Sequence, residues 1–171
     1  RKAALPAAAA IGALAAGAVV AAKAAAEDAE ASDKLAGTLK RVTGASDAAV
    51  ASTEDYISKL SQSVGVADDE LRPALGRLAT ATGDLSKAQE LLGTALDVRA
   101  QTGKPLEAVT TALAKAYGGQ FGALNKLIPG FDQGIIKSKD FTAAQDELAK
   151  LTGGAASASA MRCFRIGVAS A

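Results

Sequence analysis

Apolar residues recurring three and four apart, interrupted at intervals by glycine, leave this chain few folds to choose from. In the stretch from Asp68 to Pro129, one such series is Leu71, Leu75, Leu78; the next is Leu91, Leu92, Leu96; the third is Leu106, Val109, Leu113. That spacing puts each series on one stripe of an α-helix, whereas a strand would need alternation. Between the series stand Gly83, Gly103 and the pair Gly118 and Gly119. Glycine enters the left-handed region without a Cβ clash, so these positions read as helix stops. Starts follow them. Asp84 can accept from the free amides of a first turn, and Pro105 after Lys104 suits a first helical position. The stretch is therefore expected to be short amphipathic helices joined by glycine-capped turns.

The same logic extends both ways. Residues Ala3 to Ala22 carry no charge and lie between Lys2 and Lys23. Three readings fit them: an Ala-rich helix packed on a partner or buried, a bilayer span, or a signal peptide opened by Arg1 and Lys2. The length matches a span, but Leu5, Ile11, Leu14, Val19 and Val20 are its only sizeable apolar groups, which weakens membrane preference. Pro6 fits near a helix start, and Gly12 and Gly17 would allow close helix approach. One long helix is expected from about Ala7 to Val42, stopped by Gly44, with Glu30 and Lys34 paired four apart. Ser46 and Asp47 then cap a helix whose apolar positions are Val50, Tyr56, Ile57, Leu60 and Val64, closed by Gly65. Beyond Tyr117, Leu124, Leu127 and Ile128 suggest a short helix that turns at Pro129 and Gly130. A last amphipathic helix carries Phe141, Leu148 and Leu151 and stops at Gly153 and Gly154. The expected organisation is an Ala-rich hydrophobic helix over 1–44, a helical module over 45–154 and the start of a further helix over 155–171. The fold class is all-α.

The chemistry offered by the residues is sparse. There is no His, which removes the commonest general base and metal ligand. Cys163 is the single cysteine, so no intrachain disulfide can form, and no His is there to activate its thiol. Tyr56 and Tyr117 lie on apolar stripes and read as core. Asp68, Asp69 and Glu70 could suggest a metal. No further acidic residues stand at a spacing that would complete a site, so they read as carboxylates that complement a helix dipole and cap its free amides. The glycines around Gln120 and Phe121 lack the G-x-x-x-x-G-K-S/T pattern of a phosphate loop. Nineteen basic residues against eighteen acidic give no field that points to nucleic acid. No catalytic, cofactor or metal residue is expected; the leucine stripe Leu71, Leu75, Leu78, Leu91, Leu92, Leu96, Leu106, Leu113, Leu124 and Leu127 is expected to be core.

Taken in order, several blocks resemble tail tape measure proteins of long-tailed bacteriophages. They are GVADDELRPALGRLATATGDLSKAQELLGTALDV, TGKPLEAVTTALAKAYGG, LIPGFDQGIIKSKDF and LAKLTGGAASASA, with the Ala-rich lead-in before them. The likeness runs from Ala3 to Ala160; MRCFRIGVASA falls outside it. What it implies is a structural role without catalytic residues. Such proteins are long and largely helical and lie in the lumen of the growing tail, where chain length sets tail length. They leave the tail on infection and help DNA cross the cell envelope. The implied partners are tail tube subunits, a tail assembly chaperone, copies of the same chain and, on infection, the host membrane. The implied location is the virion tail lumen, after assembly in the host cytoplasm. The residues themselves leave a second expectation open: a membrane-associated helical protein of a bacterial envelope, anchored by Ala3 to Ala22.

Overall fold

A computed structural model describes residues 8–128, 130–154 and 158. Eight helices and no strand occur among the described residues: α1 (Ala8–Thr43), α2 (Asp47–Val64), α3 (Asp68–Thr82), α4 (Leu85–Thr102), α5 (Leu106–Tyr117), α6 (Gly122–Leu127), α7 (Gln133–Ser138) and α8 (Phe141–Thr152). The all-α architecture read from periodicity is the one observed. Arg1, Lys2, Pro6, Pro129 and Cys163 lie outside the described residues, as does the further helix expected over 155–171, apart from Ala158.

Alanine, the best helix former, dominates α1 and lets it run 36 residues, about 54 Å at helical rise. No helix of the described residues is long and apolar enough to cross a membrane. Its C-terminal turns enter the core through Leu35 and Leu39, while Ala22, Lys23 and every residue from Ala25 to Glu30 are exposed. Gly44, at φ 68°, turns the chain. Ser46 then opens α2, its hydroxyl accepting from the Ala49 amide at 3.3 Å.

α3 and α4 form the middle of the molecule. α3 packs on α1, α2, α4 and α5, and α4 packs on α3, α5 and α8. From Leu91 to Val98 α4 is buried without a break, including the polar Thr94 and Asp97. Tyr56 of α2 donates its hydroxyl to the Gln89 carbonyl of α4 at 3.4 Å, which joins the two inside the core. Tyr117 meets Phe141 edge-on at 5.1 Å, tying the end of α5 to the start of α8.

Most of the leucine stripe is buried as expected, from Leu71 through Leu124. Leu127 is half-buried, however, and Ile128 beside it takes the interior place. Leu151 is 41 % exposed, because α8 turns Ala144 and Leu148 inward instead. The core also takes in Phe121 and Phe131, which stand outside any helical series in a segment of short helices.

Three local readings change. Pro105 is the residue before α5, not its first, and contributes no side-chain cap. Pro73 sits in the second turn of α3, where its missing N–H leaves the Asp69 carbonyl without its helical donor. Gly118 closes α5 at φ −79°, and the left-handed residue is its neighbour Gly119 at φ 85°. Finally, α7 was not anticipated. Asp132 caps it by accepting from the amides of Gly134 and Ile135, and Lys139 ends it in the left-handed region at φ 55°, unusual without glycine.

Candidate functional site: the α1–α3 cleft and its arginine hub

The acidic run at the start of α3 is where charge concentrates. α3 is preceded by Ala67, whose side chain caps nothing, so the carboxylates of Asp68, Asp69 and Glu70 are not spent on amide capping as expected. They remain favourably placed at a helix N-terminus, but each is drawn into an ion pair. Arg72, one turn further on and 9 % exposed at its side chain, gathers the first two. Its Nη2 reaches Asp68 at 3.1 Å and its Nη1 lies 3.7 Å from Asp69. The same Nη1 donates to Asp28 of α1 at 2.5 Å, and Nε donates to Glu54 of α2 at 2.9 Å. Glu70 points elsewhere and pairs with Arg99 of α4 at 2.5 Å.

One guanidinium thus binds carboxylates from three helices. Its planar fork has donors enough for this, where an ammonium would act as a single point of charge. Burial on its own would lower the Arg72 pKa; the Glu54 and Asp28 carboxylates outweigh that and hold it above the ordinary guanidinium value. A guanidinium so held has no proton to trade near neutrality, and Arg72 serves as a tie between helices. Glu54 pays with its second oxygen, Oε1, which is buried and unpartnered.

The ligand oxygens of Asp28, Asp68 and Asp69 all lie within 4.8 Å of one another, a spacing that could hold a cation. Folding therefore supplies the third carboxylate that sequence spacing lacked. The Arg72 guanidinium contacts all three, so a metal ion would have to displace a positive charge already satisfied by them. The arrangement fits the arginine better than a divalent ion.

Beside the hub, α1 and α3 enclose a cleft of about 640 Å³. Lys34, Thr38 and Arg41 line it from α1, Pro73 and Arg77 from α3. Arg77 is held from behind by Glu107 and Thr110 of α5, both at 3.1 Å. Across Pro73 a second cleft of about 480 Å³ runs between α3 and the start of α5, with Asp69, Glu70 and Glu107 on its walls. Among the charged residues, Lys34, Arg41, Arg72 and Arg77 outnumber Asp69 on the first cleft, and Asp69, Glu70 and Glu107 outnumber Arg77 on the second.

Of the residues weighed from the sequence, Asp68 and Asp69 belong to this site, while Tyr56 is buried against α4 and Tyr117 packs on Phe141. Asp28, Glu54 and Arg72 were missed. Only the spacings of four and three from Asp68 and Asp69 to Arg72 carried a local signal. Comparison with protein-family models, curated proteins and solved structures gives no match.

Proposed function

We propose that this chain is a segment of a tail tape measure protein of a long-tailed bacteriophage, a structural helical element of the tail lumen that sets tail length during assembly. The observation that carries the reading is the form of α1, taken with the ordered blocks that resemble that family. α1 runs from Ala8, about seven turns before Leu35, its first buried residue among the described ones, and its side chains are exposed from Ala25 to Glu30. A helix that runs on past its last leucine contact in this way adds length in proportion to its residues, about 1.5 Å each. The packed α2–α8 module would then be a folded node on a longer ruler. Partners in this reading are tube subunits, an assembly chaperone and further copies of the chain, and passage of DNA across the envelope follows release from the tail.

The test is an in-frame duplication of residues 8–43 in the phage that encodes the chain. Thirty-six residues make ten full turns, so the helix keeps its phase. Tails measured by electron microscopy are expected to lengthen by about 54 Å. Tails of unchanged length, in virions that still assemble, would exclude a ruler role for α1.

A further inference from the structure

We propose that α1 is a strap fastened over α3 by one detachable ion pair, Asp28 to Arg72, and that its N-terminal part swings about Leu35 when that pair is broken. Leu35 and Leu39 are the only buried side chains of α1 among the residues whose burial is described, and they stand one turn apart within its last three turns. Ahead of them lie charged residues paired in two different ways. Lys23 holds Glu27 at 3.7 Å and Lys34 holds Glu30 at 2.7 Å, so both of these pairs close within the helix. The third pair does not. Asp28 accepts from Arg72 Nη1 of α3 at 2.5 Å and thereby fastens α1 about two turns before its first leucine contact.

What makes the pair detachable is the unequal position of its two partners. Asp28 is 53 % exposed and passes to water when the pair opens. Arg72 is 9 % exposed, and a buried cation left alone would be costly. It is not left alone: Glu54 at 2.9 Å, Asp68 at 3.1 Å and Asp69 at 3.7 Å remain around it. Asp69 lies against the same Nη1 that Asp28 uses, so it is placed to take up the donor that Asp28 releases. The tie between α2 and α3 thus survives the loss of Asp28, and only α1 is let go. Between the fastening and the pivot, Ala31 and Lys34 form part of the wall of the α1–α3 cleft. That wall moves with the strap, so the cleft opens as the pair breaks. The inference concerns α1 on its own module and does not rest on the ruler role.

Spin labels at Ala22→Cys on α1 and Lys59→Cys on α2, in a Cys163→Ser background, read the swing by double electron–electron resonance. Both positions are exposed and neither belongs to the hub. From Ala22 to Leu35 the helix gives a lever of about 20 Å, so a swing of about 15° moves the first label by about 5 Å. At low salt the labelled chain should give one narrow distance distribution. Asp28→Asn, which removes the charge and keeps the shape, should broaden that distribution and shift its mean by about 5 Å, while the melting midpoint falls by only a few degrees. Sodium chloride at about 0.5 M, where the Debye length is about 4 Å, should move the chain that keeps Asp28 toward the variant and leave the variant where it is. Identical distributions with and without the Asp28 carboxylate, a parent distribution indifferent to salt, or a variant that loses its cooperative melt would each overturn the proposal.

Discussion

Replacing Arg72 with Met tests whether the hub, and not the leucine core alone, fastens α1 and α2 to α3. Met keeps an apolar stem of similar length and removes only the guanidinium, so the packing of the stem is largely retained. What remains is Glu54, 24 % exposed at its side chain, with one oxygen already unpartnered, facing three further carboxylates. Stripping one member from a buried pair costs about 3–5 kcal/mol. Glu54 reaches some water, which puts its share near the lower limit. Asp28 and Asp68 are about half exposed, 53 % and 42 %, and their pairs add about 0.5 kcal/mol each. The expected loss is about 3–4 kcal/mol, and the unfolding midpoint of a chain this size should fall by roughly 10 °C. Thermal and urea unfolding followed by circular dichroism would read it. Arg72→Met combined with Glu54→Leu should recover much of the loss, because an apolar pair replaces a buried ionic one without leaving a stranded charge. The sign of the pH dependence is also set. With its pKa raised by folding, Arg72 contributes stability that is present below the ordinary guanidinium range and is lost only as pH climbs through the raised value. The guanidinium therefore stays charged under all ordinary conditions. A loss below about 1 kcal/mol, or a double variant no better than the single one, would refute the hub as a source of stability.

Leu92, fully buried in α4, should not tolerate Leu92→Asp: an unpaired carboxylate there should unfold the module, seen as lost helicity and no cooperative melt. Glycines should separate by conformation. Gly37 lies within α1 with open space where a Cβ would stand, so Gly37→Ala should stabilise by up to about 1 kcal/mol. Gly103 ends α4 at φ 66°, and Gly103→Ala should cost about 1–2 kcal/mol; equal effects in urea melts would contradict the assignment of the two backbones. Lys40 holds the Asp47 carboxyl below its usual value through a hydrogen bond and its charge, so NMR titration should find that midpoint rising in Lys40→Gln. The stability involved is present above the ordinary carboxylate range, fades as pH falls through the lowered value, and should vanish in high salt because the pair is exposed.

What the sequence made legible depended on distance along the chain. Helix stripes, the caps at Ser46 and Asp84, and the left-handed stops at Gly65, Gly83 and Gly103 are all decided within four or five residues, and each appears where periodicity put it. Leu127 packs on the core only half-buried and Leu151 is exposed, because a stripe tells which residues share a face, not how far the neighbouring helix extends over it. Phe121 and Phe131 were invisible for the converse reason: in helices of six residues there is too little repeat to define a face. The hub failed most instructively. Asp68, four residues before Arg72, could be read locally, but Glu54 is 18 residues away and Asp28 is 44. Neither position has a pattern that marks it as an acceptor, since both look like ordinary solvated acids on helix surfaces. Their role appears only once the leucines have set α1 and α2 against α3, which leaves one guanidinium under both. Packing by the apolar stripes comes first in this chain, and the polar site is what that packing encloses; a charge there can strengthen the arrangement, but it could not have specified it. Hence Arg72→Met is expected to lower stability without changing the fold, whereas Leu92→Asp is expected to remove the fold itself.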